Sequence, residues 1–177
     1  MKKLSTRELV LCALFTAAMA VLSQIVVPMP GVPFNLGVLG VFLCGGLLRP
    51  GAALLALLCY LLLGAAGVPV FAGFAGGPAA LLGATGGYLM AYPVMAWLVA
   101  RLVRLAGGGS FRRRFWAMAA ALIPCYLLGT AWFAVYMDRS FAAAAMAACL
   151  PFIPFDLLKA LLAAGLTRRL SQGMGRP

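Results

Sequence analysis

The feature that most limits this chain is the spacing of its charges. No charged residue lies between Arg49 and Arg101, and the basic residues stand at the ends of long apolar runs. Such runs suit a hydrocarbon solvent, in which a helix satisfies its own backbone and turns apolar side chains outward. Composition agrees. Of 177 residues, 65% are hydrophobic and 10% charged, with mean hydropathy +1.06. Soluble domains run near ~45–50% apolar and ~25% charged. Folded in water, this chain would have to leave much of its apolar surface exposed. A soluble domain, a disordered chain and a disulfide scaffold are excluded, which leaves an all-α integral membrane protein. There is no histidine, so His-based zinc sites and Ser–His or Cys–His catalytic pairs are excluded too.

Six apolar segments are read along the chain, at about 9–27, 36–48, 52–66, 84–103, 115–137 and 141–166, within one membrane domain over 1–177. The first ends at Pro28 and Pro30, and a basic loop, 104–114, separates the fourth from the fifth. The second and third are shorter than the ~20 residues a spanning helix needs, so they are tilted, extended by their loops or part of an irregular core. With six spans and both termini cytoplasmic, Lys2, Lys3, Arg7, Arg49, Arg101, Arg104, Arg112, Arg113, Arg114, Arg168, Arg169 and Arg176 fall inside. Only Arg139 falls outside, and Lys159 lies within a span. Short loops with this bias obey the positive-inside rule. The net charge of +11 is therefore a topology signal, and no nucleic-acid partner is expected. Ala18-Met19-Ala20 looks like a signal-peptide cleavage site. The apolar run continues to Val27, however, so the segment is expected to be kept as a span. The five cysteines, Cys12, Cys44, Cys59, Cys125 and Cys149, lie in apolar segments without C-x-x-C spacing and read as small buried hydrophobes.

One charged pair lies deep in a span. In Pro151-Phe-Ile-Pro-Phe-Asp-Leu-Leu-Lys-Ala, Asp156 and Lys159 stand three apart, on one helix face. At ~1.5 Å per residue they lie about 18 and 14 Å from Arg168. Charge at such depth is costly and usually functional. Pro151 and Pro154 interrupt a continuous helix. A half-helix opened by Pro154 puts Asp156 in its first turn, where a carboxylate suits the dipole. Broken helices at this depth are where transporters build substrate sites. The pair either lines a polar cavity for a ligand with N–H donors and oxygen acceptors or pins helix packing. Two other stretches fit a ligand site. Gly67-Val-Pro-Val-Phe-Ala-Gly-Phe-Ala-Gly-Gly carries glycines, Gly73 among them, that permit unusual backbone angles, with Phe71 and Phe74 to cap an apolar site. Thr85-Gly-Gly-Tyr88 opens the fourth span, with Tyr88 to lend a ring and a hydroxyl. Small-xxx-small spacing at Ala13/Ala17 and Thr16/Ala20 allows close helix contact, as do similar pairs elsewhere. No P-loop, G-x-S-x-G, paired catalytic carboxylates or metal-ligand cluster is present; no enzyme activity, cofactor or metal is expected.

Taken together and in order, Val32-Pro-Phe, Tyr60-Leu-Leu-Leu-Gly-Ala-Ala-Gly-Val-Pro-Val-Phe-Ala-Gly, Thr85-Gly-Gly-Tyr-Leu and the Pro151–Ala160 stretch resemble the BioY family, the biotin-specific substrate-binding (S) components of energy-coupling-factor transporters. The similarity covers roughly residues 8–170. It implies a six-helix fold in a bacterial inner membrane that captures biotin on the outer side. It also implies two kinds of partner, a transmembrane coupling (T) subunit and a pair of cytoplasmic ATPase subunits. It gives Asp156 and Lys159 a role in contacting biotin, and makes Ala13 and Ala17 the docking motif of the first span. The sequence departs from the family at Asn35-Leu-Gly-Val38, Gly83-Ala84 and Phe155. Asn35 stands where a polar ligand contact is expected. A different small vitamin, or a structural subunit with no ligand, remain the alternatives.

Overall fold

The computed structural model describes residues 4–27, 34–107 and 109–173. Pro28, Pro30 and Val32-Pro33 of the motifs above lie outside these residues, as do Lys2, Lys3 and Arg176. The chain forms eight α-helices among the described residues: α1 (Thr6–Gln24), α2 (Gly37–Leu47), α3 (Pro50–Ala65), α4 (Pro78–Leu82), α5 (Gly86–Leu105), α6 (Phe111–Tyr136), α7 (Phe141–Ala148) and α8 (Ile153–Gly173). Two short strands, β1 (Val26–Val27) and β2 (Phe34–Asn35), pair antiparallel after α1.

Local chemistry sets the boundaries. Ser5 and Glu8 form a reciprocal capping box that starts α1: the Ser5 N–H donates to Glu8 Oε2 (2.9 Å) and the Glu8 N–H to Ser5 Oγ (3.3 Å). α1 stops at Gln24, short of the expected Val27, because Val26 and Val27 pair with Asn35 and Phe34. Pro50 opens α3 immediately after Arg49, where a missing N–H costs nothing. The basic loop expected over 104–114 is shorter than its charges implied: Arg104 sits in the last turn of α5 and Arg112–Arg114 in the first turn of α6. The segment read as one span, 141–166, is two helices. Cys149 leaves helical geometry, a 3₁₀ turn covers Leu150–Phe152, and α8 then begins with Pro154 in its first turn. Pro151 and Pro154 have no N–H to continue the ladder.

Among the described residues, four stretches are long and apolar enough to cross a membrane: Thr6–Gln24, Gly86–Leu105, Phe111–Tyr136 and Phe141–Gln172, the last including the break. α2 and α3 are shorter. α2, about 16 Å long at 1.5 Å per residue, lies in the interior between α5 and α8, with Val41, Phe42 and Cys44 fully buried. α3 packs on α1 and α5, and α6 on α5 and α8. Contacts rely on alanine: Ala52, Ala53, Ala56, Ala96, Ala121, Ala160, Ala163 and Ala164 are fully buried. In lipid, small residues let backbones approach and gain dispersion where no hydrophobic drive exists between helices. Large apolar side chains such as Val10, Leu14, Val21, Ile123, Leu127 and Val135 point outward.

Long-range hydrogen bonds define two ends. Glu8, Gly46, Arg49, Arg114 and Ser171 meet at one. Gln24 and Phe71, Tyr88 and Thr130, and Tyr126 and Asp156 meet toward the other.

Candidate functional site

At that second end, a chamber of about 300 Å³ opens among the helix termini, within the ~300–1,000 Å³ usual for small-ligand sites. Its walls come from β2, α2, α5, α6 and α8, and its cover from the 71–85 segment and the α7–α8 break. Phe34, Phe71, Tyr88, Tyr92, Tyr126 and Phe152 supply aromatic surface. Asn35, Thr85, Asp156 and Lys159 supply polarity.

The break before α8 positions the charges. It leaves Asp156 in the first turn, where the helix dipole favours an anion, with Lys159 one turn further on. Both are 5% exposed. Lys159 Nζ donates to Asp156 Oδ1 (2.7 Å), and the Tyr126 hydroxyl donates to Asp156 Oδ2 (2.6 Å). Each carboxylate oxygen thus has one donor and keeps capacity for another. The Lys159 ammonium lies 4.0 Å from the centre of the Phe34 ring, a cation–π contact, and spends one of its three N–H groups on Asp156. The ion pair lies within one helix and so joins no two helices. The link between α6 and α8 is made by Tyr126.

Other polar groups divide into spent and available. The Tyr88 ring faces the chamber, but its hydroxyl donates to the Ala148 carbonyl and shares a bond with Thr130 Oγ1, both 2.9 Å. The Asn35 side-chain oxygen accepts the Gly37 N–H (2.8 Å), leaving its amide N–H groups to the chamber. The Tyr92 hydroxyl has no partner among the described residues, and Tyr92 lines the same wall.

The cover is stitched down. Phe71 is 2% exposed and packs edge-on against Tyr60 at 5.4 Å between ring centres. Gly64 makes room for it, since a Cβ there would overlap the Phe71 ring. The Tyr60 hydroxyl donates to the Val70 carbonyl (3.2 Å). Gln24, the last residue of α1, donates to the Phe71 carbonyl (3.0 Å) and accepts the Phe74 N–H (2.8 Å). Trp132 Nε1 donates to the Gly83 carbonyl (2.9 Å).

The chamber therefore gathers six residues singled out in the sequence: Asn35, Phe71, Thr85, Tyr88, Asp156 and Lys159. Gly73 and Phe74 are not among its lining. Gly73 adopts φ 69° and Phe74 φ 58°, and this left-handed turn carries Phe74 outward, 71% exposed. Tyr126, Tyr92 and Phe152 are lining residues that sequence reasoning missed; a tyrosine inside an apolar run, as at Tyr126, was the available signal. Ala13 and Ala17 are exposed on α1 and are not among the chamber's lining.

Membrane-length apolar helices around an aromatic chamber with one neutralised ion pair define a membrane protein built to hold a small amphiphilic ligand. The sequence matches the model of the BioY family over residues 1–176. The chain is 39% identical to the probable biotin transporter BioY of Pyrococcus horikoshii, over 94% of this chain and 98% of that one. It is 36% identical to the biotin transporter BioY of Thermotoga maritima, over 94% and 96%. Its fold is similar to the crystal structure of the S-component for biotin from an ECF-type ABC transporter: TM-score 0.86, 25% identity, 96% of this chain and 95% of that one. The chain belongs to the BioY family.

Proposed function

We propose that this protein binds biotin on the outer side of a bacterial inner membrane and delivers it inward as the S component of an ATP-driven energy-coupling-factor importer. It is a transport protein, not an enzyme. In this reading six spans cross the membrane: α1, α2, α3, α5, α6 and the α7–α8 unit, with both termini cytoplasmic. The positive-inside bias then places the arginine-rich end in the cytoplasm and the chamber toward the outside. Energy comes from partners, a transmembrane coupling subunit and two cytoplasmic ATPases. Ala13 and Ala17 are the small, exposed residues of α1 on which the coupling subunit docks.

One observation carries the substrate: an aromatic chamber holds a neutralised carboxylate–ammonium pair with unspent hydrogen-bonding capacity. Biotin presents two ureido N–H donors, a ureido carbonyl, an apolar bicycle and a carboxylate tail. Asp156 has oxygen lone pairs for N–H donors. Asn35, Tyr92 and Lys159 have donors for oxygen acceptors, and the six aromatic side chains surround the apolar bicycle. The names carried by relatives sharing over a third of their residues with this chain support the same substrate.

The test is equilibrium binding of biotin and a panel of other small vitamins to purified protein. Biotin is expected to saturate one site and to bind tightest. Asp156→Asn and Lys159→Ala are each expected to weaken it at least tenfold, about 1.4 kcal/mol, in protein that remains folded. Tighter binding of another vitamin, or no saturable ligand, overturns the reading.

A further inference from the structure

A second cavity, of about 600 Å³, lies at the opposite end of the bundle. It is formed where α2, α5 and α8 finish and α6 begins. Arg104, Arg114 and Arg168 line it together with Ser171, Gln172, residues 45–48, Gly107 and Gly109. Arg114 is 5% exposed; it donates to the Gly46 carbonyl (3.1 Å) and to Ser171 Oγ (2.9 Å). Arg104 and Arg168 are exposed, and neither guanidinium has a hydrogen bond or ion pair among the described residues. Among the described residues, no carboxylate lines the cavity. Glu8, the acid at this end, is engaged by Arg49 (3.3 Å) and by Ser5.

Charge accounting decides what such a cavity accepts. Three helix C-termini contribute roughly −0.5 each and the α6 N-terminus roughly +0.5, about −1 in all. The two exposed guanidiniums, Arg104 and Arg168, contribute +2. A surplus of about one positive charge remains, carried by side chains whose planar forks match phosphate oxygens. Two neighbouring features place it at the edge of the hydrocarbon. Leu105, next to Arg104, is 74% exposed. Trp116, one turn beyond Arg112 and Arg113, is 65% exposed, in the manner of residues at the lipid headgroup level.

We infer that this cavity binds the phosphate headgroup of an anionic phospholipid, with Arg104 and Arg168 as the discriminating contacts and Arg114 as the fixed floor. Basic pockets between helix ends on the cytoplasmic side are suited to such headgroups.

The experiment uses full-length, delipidated protein in detergent, with phosphatidylglycerol and phosphatidylcholine of equal chain length as probes and binding read by native mass spectrometry. The wild type is expected to prefer phosphatidylglycerol by about tenfold, from two screened charge contacts. Arg104→Gln/Arg168→Gln is expected to abolish the preference. Arg101→Gln/Arg169→Gln removes the same charge from residues outside the cavity and is expected to keep it within twofold. Biotin affinity, set at the other end of the bundle, is expected to be unchanged in both, so this proposal and the functional one fail separately. Equal binding of the two lipids by the wild type, or equal losses in both double variants, overturns the site. Inorganic phosphate alone raising the unfolding midpoint as far as phosphatidylglycerol overturns the lipid assignment in favour of a free anion.

Discussion

The two ends of the bundle handle charge in opposite ways. Toward the chamber, Asp156 and Lys159 are 5% exposed, bonded at 2.7 Å and backed by Tyr126. At the other end Arg104 and Arg168 stand exposed with no carboxylate hydrogen-bonded or ion-paired to them among the described residues, and the Arg49–Glu8 pair is looser, at 3.3 Å, with the Arg49 side chain 39% exposed. The contrast follows from depth. An ion surrounded by hydrocarbon must be neutralised by its own protein. An ion at the boundary has water, counter-ions and headgroups to answer it, so its neighbours can be left unmatched.

The contrast can be broken most directly at Lys159. Lys159→Met leaves the buried carboxylate without its cation and is expected to cost about 3–5 kcal/mol, seen as a large drop in the unfolding midpoint in detergent. Asp156→Asn/Lys159→Met, which removes both charges, is expected to recover most of that stability while biotin binding stays lost. Recovery of binding with stability would show that the pair serves packing alone. Tyr126→Phe removes one donor from a charged acceptor and is expected to cost about 1.5–3 kcal/mol, with a several-fold loss of biotin affinity by calorimetry. Gly129→Ala places a Cβ inside the Tyr88 ring. It is expected to cost about 1–3 kcal/mol through overpacking and to weaken biotin by displacing a chamber wall. Smallest is Arg49→Gln, whose part-buried pair is expected to move the unfolding midpoint by no more than about 2–4 °C. A shift rivalling that of Lys159→Met would erase the distinction between the two ends.

Features set by local composition were legible in the residues themselves. Charge-free runs announce helices for lipid, the lone acid–amine pair three apart announces a buried site, and prolines 151 and 154 announce the break that puts Asp156 in a first turn. Features set by distant partners were not. Tyr126 reaches Asp156 across thirty positions, and nothing at Tyr126 itself points to that partner. The glycines of 67–77 declare freedom of backbone angle but not its direction, so the inward Phe71 and the outward Phe74 look alike until Gly64 is seen to admit one of them. Likewise, apolar character does not separate a helix bathed in lipid from one enclosed by protein, which is why α2 reads as a short span although its middle is wholly enclosed.

Gln24 carries a mechanical consequence. It is the final residue of α1, and its amide grips the chamber cover at two backbone points, the Phe71 carbonyl and the Phe74 N–H. The outer face of that same helix carries Ala13 and Ala17. A push that swings α1 away from its neighbours therefore tugs the roof with it, like a door whose latch is fixed to the moving post.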